Sequence, residues 1–149
     1  MSDNKSIVLV VDDVSENIDV LIGILDTDYV VKFALNGDTA IEIASKEPQP
    51  DIILLDVMMP GLNGYEVCEK LKLDPATAEI PVIFVTGLDD LKNELRGFDV
   101  GGVDYITKPV VPKIVSARVK THIYIYKVKQ KMAEHNLKME GLLDNKLDI

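Results

Sequence analysis

Five short apolar runs rich in β-branched residues, each followed by a stretch with helical spacing, restrict this chain to an alternating α/β architecture. The runs are Ile7–Val11, Tyr29–Ala34, Asp51–Leu55, Pro81–Val85 and Val103–Ile106. The first, third and fourth are almost continuously apolar, as strands covered on both faces must be.

The intervening segments carry helix signals. Ile18, Leu21, Ile22 and Leu25 share one face of a first helix. Thr39 with Glu42, and Asn63 with Glu66, have capping-box spacing at the starts of the second and third. The third is expected to bury Val67 and Leu71 and to stop before Asp74-Pro75. The fourth carries Leu91, Leu95 and Phe98 and is expected to end at Gly101-Gly102. Five βα units with right-handed crossovers give a doubly wound parallel sheet of the flavodoxin-like (βα)5 type, with expected strand order 2-1-3-4-5.

Polar residues with chemical potential stand at the ends of four runs. The first leads into Asp12-Asp13, the third into Asp56, the fourth into Thr86-Gly87 and the fifth into Lys108-Pro109. Ligands of open α/β sheets bind beyond the strand carboxyl ends, so adjacent strands would gather three carboxylates and an ammonium there. Crowded carboxylates repel. A hard cation relieves them, and Mg²⁺ suits a site with few carboxylates that shares its ligand positions with phosphate. A carboxylate held beside such an ion can attack phosphorus to form an aspartyl phosphate, and Asp56 is the candidate. Lys108 offers a point charge for the phosphoryl oxygens, Thr86 a hydroxyl donor, and Gly87 an uncrowded approach. Singly, each residue has a plainer use: Asp13 with Glu16 also reads as a capping box, and Asp56 as a turn former.

Composition narrows the function classes. The formal net charge is −9, which disfavours nonspecific nucleic-acid binding, and neither a helix-turn-helix nor a basic patch is read from the sequence, so direct DNA contact is not expected. The single cysteine, Cys68, excludes an internal disulfide and a Cys-type zinc site and is expected to be buried. No apolar run approaches the roughly 18 residues of a membrane span, and the polar amino terminus does not resemble a signal peptide, so a cytoplasmic location is expected.

From Pro112 the chain reads as one long helix. Ile125, Val128, Met132, His135, Met139 and Leu142 alternate steps of three and four, a coiled-coil spacing that His135 and Gly141 weaken; a frayed, solvated end is the other reading.

The motifs Val10-Val11-Asp12-Asp13, Leu55-Asp56-Val57-Met58-Met59-Pro60-Gly61 with Gly64, Val85-Thr86-Gly87 and Asp104-Tyr105-Ile106-Thr107-Lys108-Pro109 together resemble the receiver domain of bacterial two-component response regulators, over about Lys5 to Tyr126. The resemblance implies that Asp56 accepts a phosphoryl group from a histidine kinase or phosphotransfer protein. It implies that Asp13 binds Mg²⁺ directly, Asp12 through water, and Met58 through its backbone carbonyl. Lys108 would pair with the phosphoryl group, and a cis Lys108–Pro109 bond would aim it. Thr86 would move toward the phosphoryl group and Tyr105 would rotate inward, changing the surface of the fourth helix, fifth strand and fifth helix. Met58 and Leu88 occupy the positions that tune phosphoryl lifetime; both are apolar, so slow self-dephosphorylation is expected.

The expected division is a receiver over residues 5–127 and an extended helix over 128–149, leading to an absent output domain (a cyclic-di-GMP enzyme or a kinase) or ending a stand-alone receiver. A homodimer through the fourth-helix face or the tail is a further expectation. Competing readings are a haloacid-dehalogenase-type phosphatase, which needs Asp-x-Asp where this chain has Asp12-Asp13-Val14, and a non-phosphorylated pseudo-receiver, which usually lacks an acidic residue or the lysine. A flavodoxin-like cofactor protein lacks support, since no phosphate loop or aromatic platform is present.

Overall fold

A computed structural model describes residues 5–87 and 94–147, the side chains of residues 94, 95 and 142–147 excepted. Strands β1 (Ile7–Val11), β2 (Val30–Ala34), β3 (Ile52–Asp56), β4 (Val82–Gly87) and β5 (Asp104–Lys108) form one parallel sheet in the order β2-β1-β3-β4-β5. Helices α1 (Ser15–Leu25), α2 (Gly37–Ser45), α3 (Gly64–Leu73), α4 (Glu94–Asp99) and α5 (Pro112–Leu147) complete the α/β architecture. The strand order and fold class agree with the sequence reading. Leu88 and Leu91, and the side chains of Leu95 and Leu142, lie outside the described residues.

Each face of the sheet has its own core. Leu9, Val11, Ile53, Leu55, Val82 and Phe84 meet α2 and α3 residues including Ala40, Ala44, Val67 and Leu71. Val8, Val10, Ile52, Leu54, Ile83 and Val85 meet Ile18, Leu21 and Leu25 of α1 and Val115, Val119 and Ile123 of α5. The alternation along each central strand therefore divides one apolar run between two cores. Edge strands β2 and β5 are only partly buried, which explains their broken patterns. Cys68 is buried, and burial pushes its thiol up to about 11. Among the described residues no helix is long and apolar enough to cross a membrane.

Several boundaries differ from the sequence expectations. Helix α2 starts at Gly37, capped by Asn36, whose side chain accepts from the Thr39 N–H at 2.8 Å; Thr39 is not the cap. Helix α1 has Val14 at its N-cap position with no side-chain cap, so the Asp13–Glu16 capping box does not form. Asn63 and Glu66 do form the reciprocal box of α3. Helix α4 ends at Asp99, two residues before Gly101. Helix α5 concentrates 8 of the 16 basic residues against three acidic ones, and Lys120, Lys127 and Lys131 line one concavity with Tyr29 and Tyr124. This helix therefore does carry a basic patch, contrary to the expectation from sequence.

Candidate functional site

Parallel pairing explains why the acidic residues meet. Val11 of β1 pairs with Leu55 of β3, so Asp12 lies beside Asp56, the last residue of its strand. On the other side of β3, Asp56 pairs with Val85, which brings Thr86 alongside. Thr86 and Gly87 pair with Thr107 and Lys108, which carries the row to the edge strand. The site is thus one step of register across four strands.

Its side chains form a compact charge cluster. Asp12 and Asp56 are 2% and 3% exposed, whereas Asp13 faces solvent. Each of the three offers a carboxylate oxygen, and these atoms lie within 4.8 Å of one another. The Lys108 ammonium reaches Asp12 Oδ2 at 3.2 Å and Asp56 Oδ1 at 3.3 Å, long for charge-assisted bonds, so one cation is shared between two anions. The Asp12 Oδ1 accepts from the Val14 N–H at 2.9 Å. Met58 N–H donates to Asp56 Oδ1 at 3.3 Å.

Electrostatics set Asp56 apart. Burial, then the Asp12 charge, raises its pKa to about 6 against the opposing pull of Lys108. Burial alone would lower the Lys108 pKa, but Asp56 and Asp12 outweigh it and the net shift is upward. A site that raises an acid while sharing one lysine has room, electrostatically, for further positive charge. That donor set is all oxygen, with no His or Cys, and fits a hard divalent cation such as Mg²⁺.

Backbone shape supports the cluster. The N–H of Gly64 donates to the Val57 carbonyl at 2.9 Å, and a Cβ at position 64 would collide with the Asp56 carbonyl. Only glycine lets α3 begin this close to the end of β3. The Lys108–Pro109 peptide is cis. Beside Asp12 and Lys108 opens a cleft of about 210 Å³, lined also by Asn17, Val20, Pro109 and Val110. Met58 is 65% exposed at the rim.

Tyr105 points into the molecule. Its ring packs on Phe84 and edge-on to Phe98, with its hydroxyl 3.4 Å from that of Tyr65, while Thr86 is buried. A Cβ at Gly97 would strike the Tyr105 hydroxyl, so this glycine admits the inward ring. Asn17, Tyr65 and Gly97 were not singled out from the sequence. Tyr65 and Gly97 act through long-range packing, and no local motif announces either.

Residues 8–120 match the family model of the response regulator receiver domain. The chain is 44% identical over 115 residues to response regulator PleD of Caulobacter vibrioides, covering 76% of this chain and 25% of that protein. It is 38% identical over 148 residues to a probable cyclic di-GMP phosphodiesterase of Vibrio cholerae, covering 95% of this chain and 33% of that protein. The chain therefore spans about a quarter to a third of these relatives. Among solved structures, the signal receiver domain of a histidine kinase from Syntrophus aciditrophicus superposes with a TM-score of 0.72 at 34% identity, covering 80% of this chain and 90% of that one. A putative response regulator from Chloroflexus aurantiacus gives 0.77 at 30% identity, covering 81% and 99%.

Proposed function

The chain belongs to the response regulator receiver domain family, and from that premise we propose that it is a phosphorylation-activated switch whose acceptor is Asp56. A sensor histidine kinase or phosphotransfer protein presents a phosphohistidine at the cleft beside Asp12 and Lys108. An Asp56 oxygen attacks phosphorus; the O–P bond forms as the P–N bond breaks, and the bonding pair leaves on the imidazole nitrogen. The observation that carries this reading is the meeting of Asp12, Asp56 and Lys108 at 3.2 and 3.3 Å beyond the strand ends.

Asp12, Asp13, Asp56 and the Met58 carbonyl would hold Mg²⁺. When bound, the ion neutralises charge on the phosphoryl oxygens and fixes the group in line. Lys108 transfers its ammonium from the carboxylates to the phosphoryl oxygens, positioned by Pro109. The Thr86 hydroxyl donates to the same group past the small Gly87. Tyr105 then holds its inward position, which biases the surface formed by α4, β5 and α5. Met58 and Leu88 offer no group to orient an attacking water, so the aspartyl phosphate persists for minutes to hours.

This surface would control an output domain, with residues 5–127 as receiver and 128–149 as the linking helix, in the cytoplasm. A cyclic-di-GMP enzyme is favoured as output. The match to the Vibrio cholerae protein takes in 95% of the chain, and so most of the helix beyond residue 127, whereas the match to PleD takes in 76%. Intact-mass measurement after acetyl phosphate and Mg²⁺ tests the core of the proposal. The wild type gains one phosphoryl group and Asp56→Ala gains none; equal labelling of the two refutes it.

A further inference from the structure

Charge is divided unevenly along the chain. Helix α5 carries eight basic residues against three acidic ones, while the remainder carries eight against 22. Lys120, Tyr124, Lys127 and Lys131 follow one another at steps of four, three and four, so they share one face of the helix. With Ser6 and Tyr29, which precede β1 and β2, they line a concavity of about 360 Å³. It lies at the amino end of the sheet, opposite Asp56, and the phosphoryl chemistry does not use it.

The polar groups of this concavity suit an anion. Among the described residues none of its three lysines is paired with a carboxylate, whereas Lys46, Lys108 and Arg118 are. Three neighbouring ammoniums without an acid repel one another and create a local positive potential in an otherwise acidic chain. Lys127 Nζ donates to Ser6 Oγ at 2.7 Å, which fixes that ammonium and leaves the Ser6 hydroxyl proton for another acceptor. Burial, then the Asp28 charge, raises the Tyr29 pKa, so this phenol keeps its proton and can donate it. Asp28 itself does not line the concavity. Tyr124 is 71% exposed, which leaves its ring available to stack on a planar group. The volume falls within the roughly 300–1,000 Å³ of small-ligand sites. We infer that the concavity binds a nucleoside polyphosphate, with its phosphates among Lys120, Lys127 and Lys131 and its base against Tyr124.

Binding does not depend on Asp56 phosphorylation, so the unphosphorylated full chain is the test material. Isothermal titration in EDTA, where the acidic cluster repels polyanions, uses ATP, inorganic tripolyphosphate and adenosine as probes. ATP binds at one site, tripolyphosphate binds about fivefold more weakly for want of the stacked base, and adenosine does not bind measurably. Lys120→Gln with Lys131→Gln, both exposed, weakens ATP binding by about tenfold, the scale of lost charge-assisted contacts. Lys129→Gln with Lys138→Gln removes the same charge from the same helix outside the concavity and leaves the affinity unchanged. Tyr124→Ala lowers the affinity for ATP to that for tripolyphosphate. Absence of ATP binding, or an equal loss in the two lysine pairs, overturns the site. Equal affinity for ATP and tripolyphosphate, with no effect of Tyr124→Ala, overturns recognition of the nucleoside.

Discussion

The two ends of the sheet treat carboxylates in opposite ways. At the amino end, Asp51 Oδ2 accepts from the Ile7 N–H at 2.8 Å, and the Ile7 carbonyl accepts from the Asp51 N–H at 2.8 Å. Asp104 likewise divides its oxygens between the Tyr105 N–H at 2.8 Å and His122 Nε2 at 2.9 Å, and Arg118 donates to the Tyr105 carbonyl beside it. Each acid there has donors of its own. At the carboxyl end, Asp12 and Asp56 share one ammonium at 3.2 and 3.3 Å, and Asp13 crowds both. No buried side-chain nitrogen or oxygen among the described residues lacks a partner, so the contrast is one of charge balance rather than of unmade bonds. One end is built for stability. The other holds electrostatic strain that a cation or phosphoryl group can relieve.

Breaking the shared cation should have the largest effect. Lys108→Ala leaves two buried carboxylates without their ammonium, which costs about 2 to 3 kcal/mol at pH 7, toward the lower end for broken buried pairs because the lysine is 30% exposed. The loss should shrink toward pH 5, where Asp56 takes up a proton. Urea melts in EDTA at both pH values measure it; an equal loss at each would show that Asp56 does not carry the strain.

Removing the strained charge should act in the opposite direction and somewhat less. The Asp56 pKa lies above its ordinary value of 3.8, at about 6, so its favourable contribution is full below 3.8 and is lost as pH rises through 6. Asp56→Asn should therefore stabilise the fold at pH 7 by on the order of 2 kcal/mol, with no gain near pH 4. Mg²⁺ should narrow the difference by stabilising the wild type through mass action. Matching melts of the two proteins at pH 7 in EDTA would contradict the assignment.

The contrast between the two ends was partly legible in the sequence. Apolar runs located all five strands, but they ended one or two residues early on β3, β4 and β5. Hydrophobic patterning reports burial, whereas the hydrogen-bonded ladder continues through Asp56, Thr86-Gly87 and Thr107-Lys108. The side chains at these strand ends are polar because they serve the site. Local capping signals were less dependable: Thr39 with Glu42 mimicked a box one turn into α2, and α1 has at its N-cap position the apolar Val14, which carries no oxygen to cap with. The tight approaches at Gly64 and Gly97 and the Tyr65–Tyr105 hydroxyl contact depend on elements distant in sequence, so no window of residues reveals them.

The smallest effect belongs to the amino end and sharpens the contrast most. Asp51→Ala removes the acceptor of the Ile7 N–H, a partly buried neutral donor at the start of β1. The expected cost is about 1 kcal/mol, that of one hydrogen bond in a setting water can still reach. Because Asp51 lies at the far end of β3 from Asp56, the loss should be the same with and without Mg²⁺. Acetyl phosphate should still add one phosphoryl group, read by intact mass. If Asp51→Ala lowered labelling as strongly as a substitution among Asp12, Asp13 or Lys108, strain at one end of the sheet would be coupled to bonding at the other. The separation of a stabilising end from a reactive end would then fail.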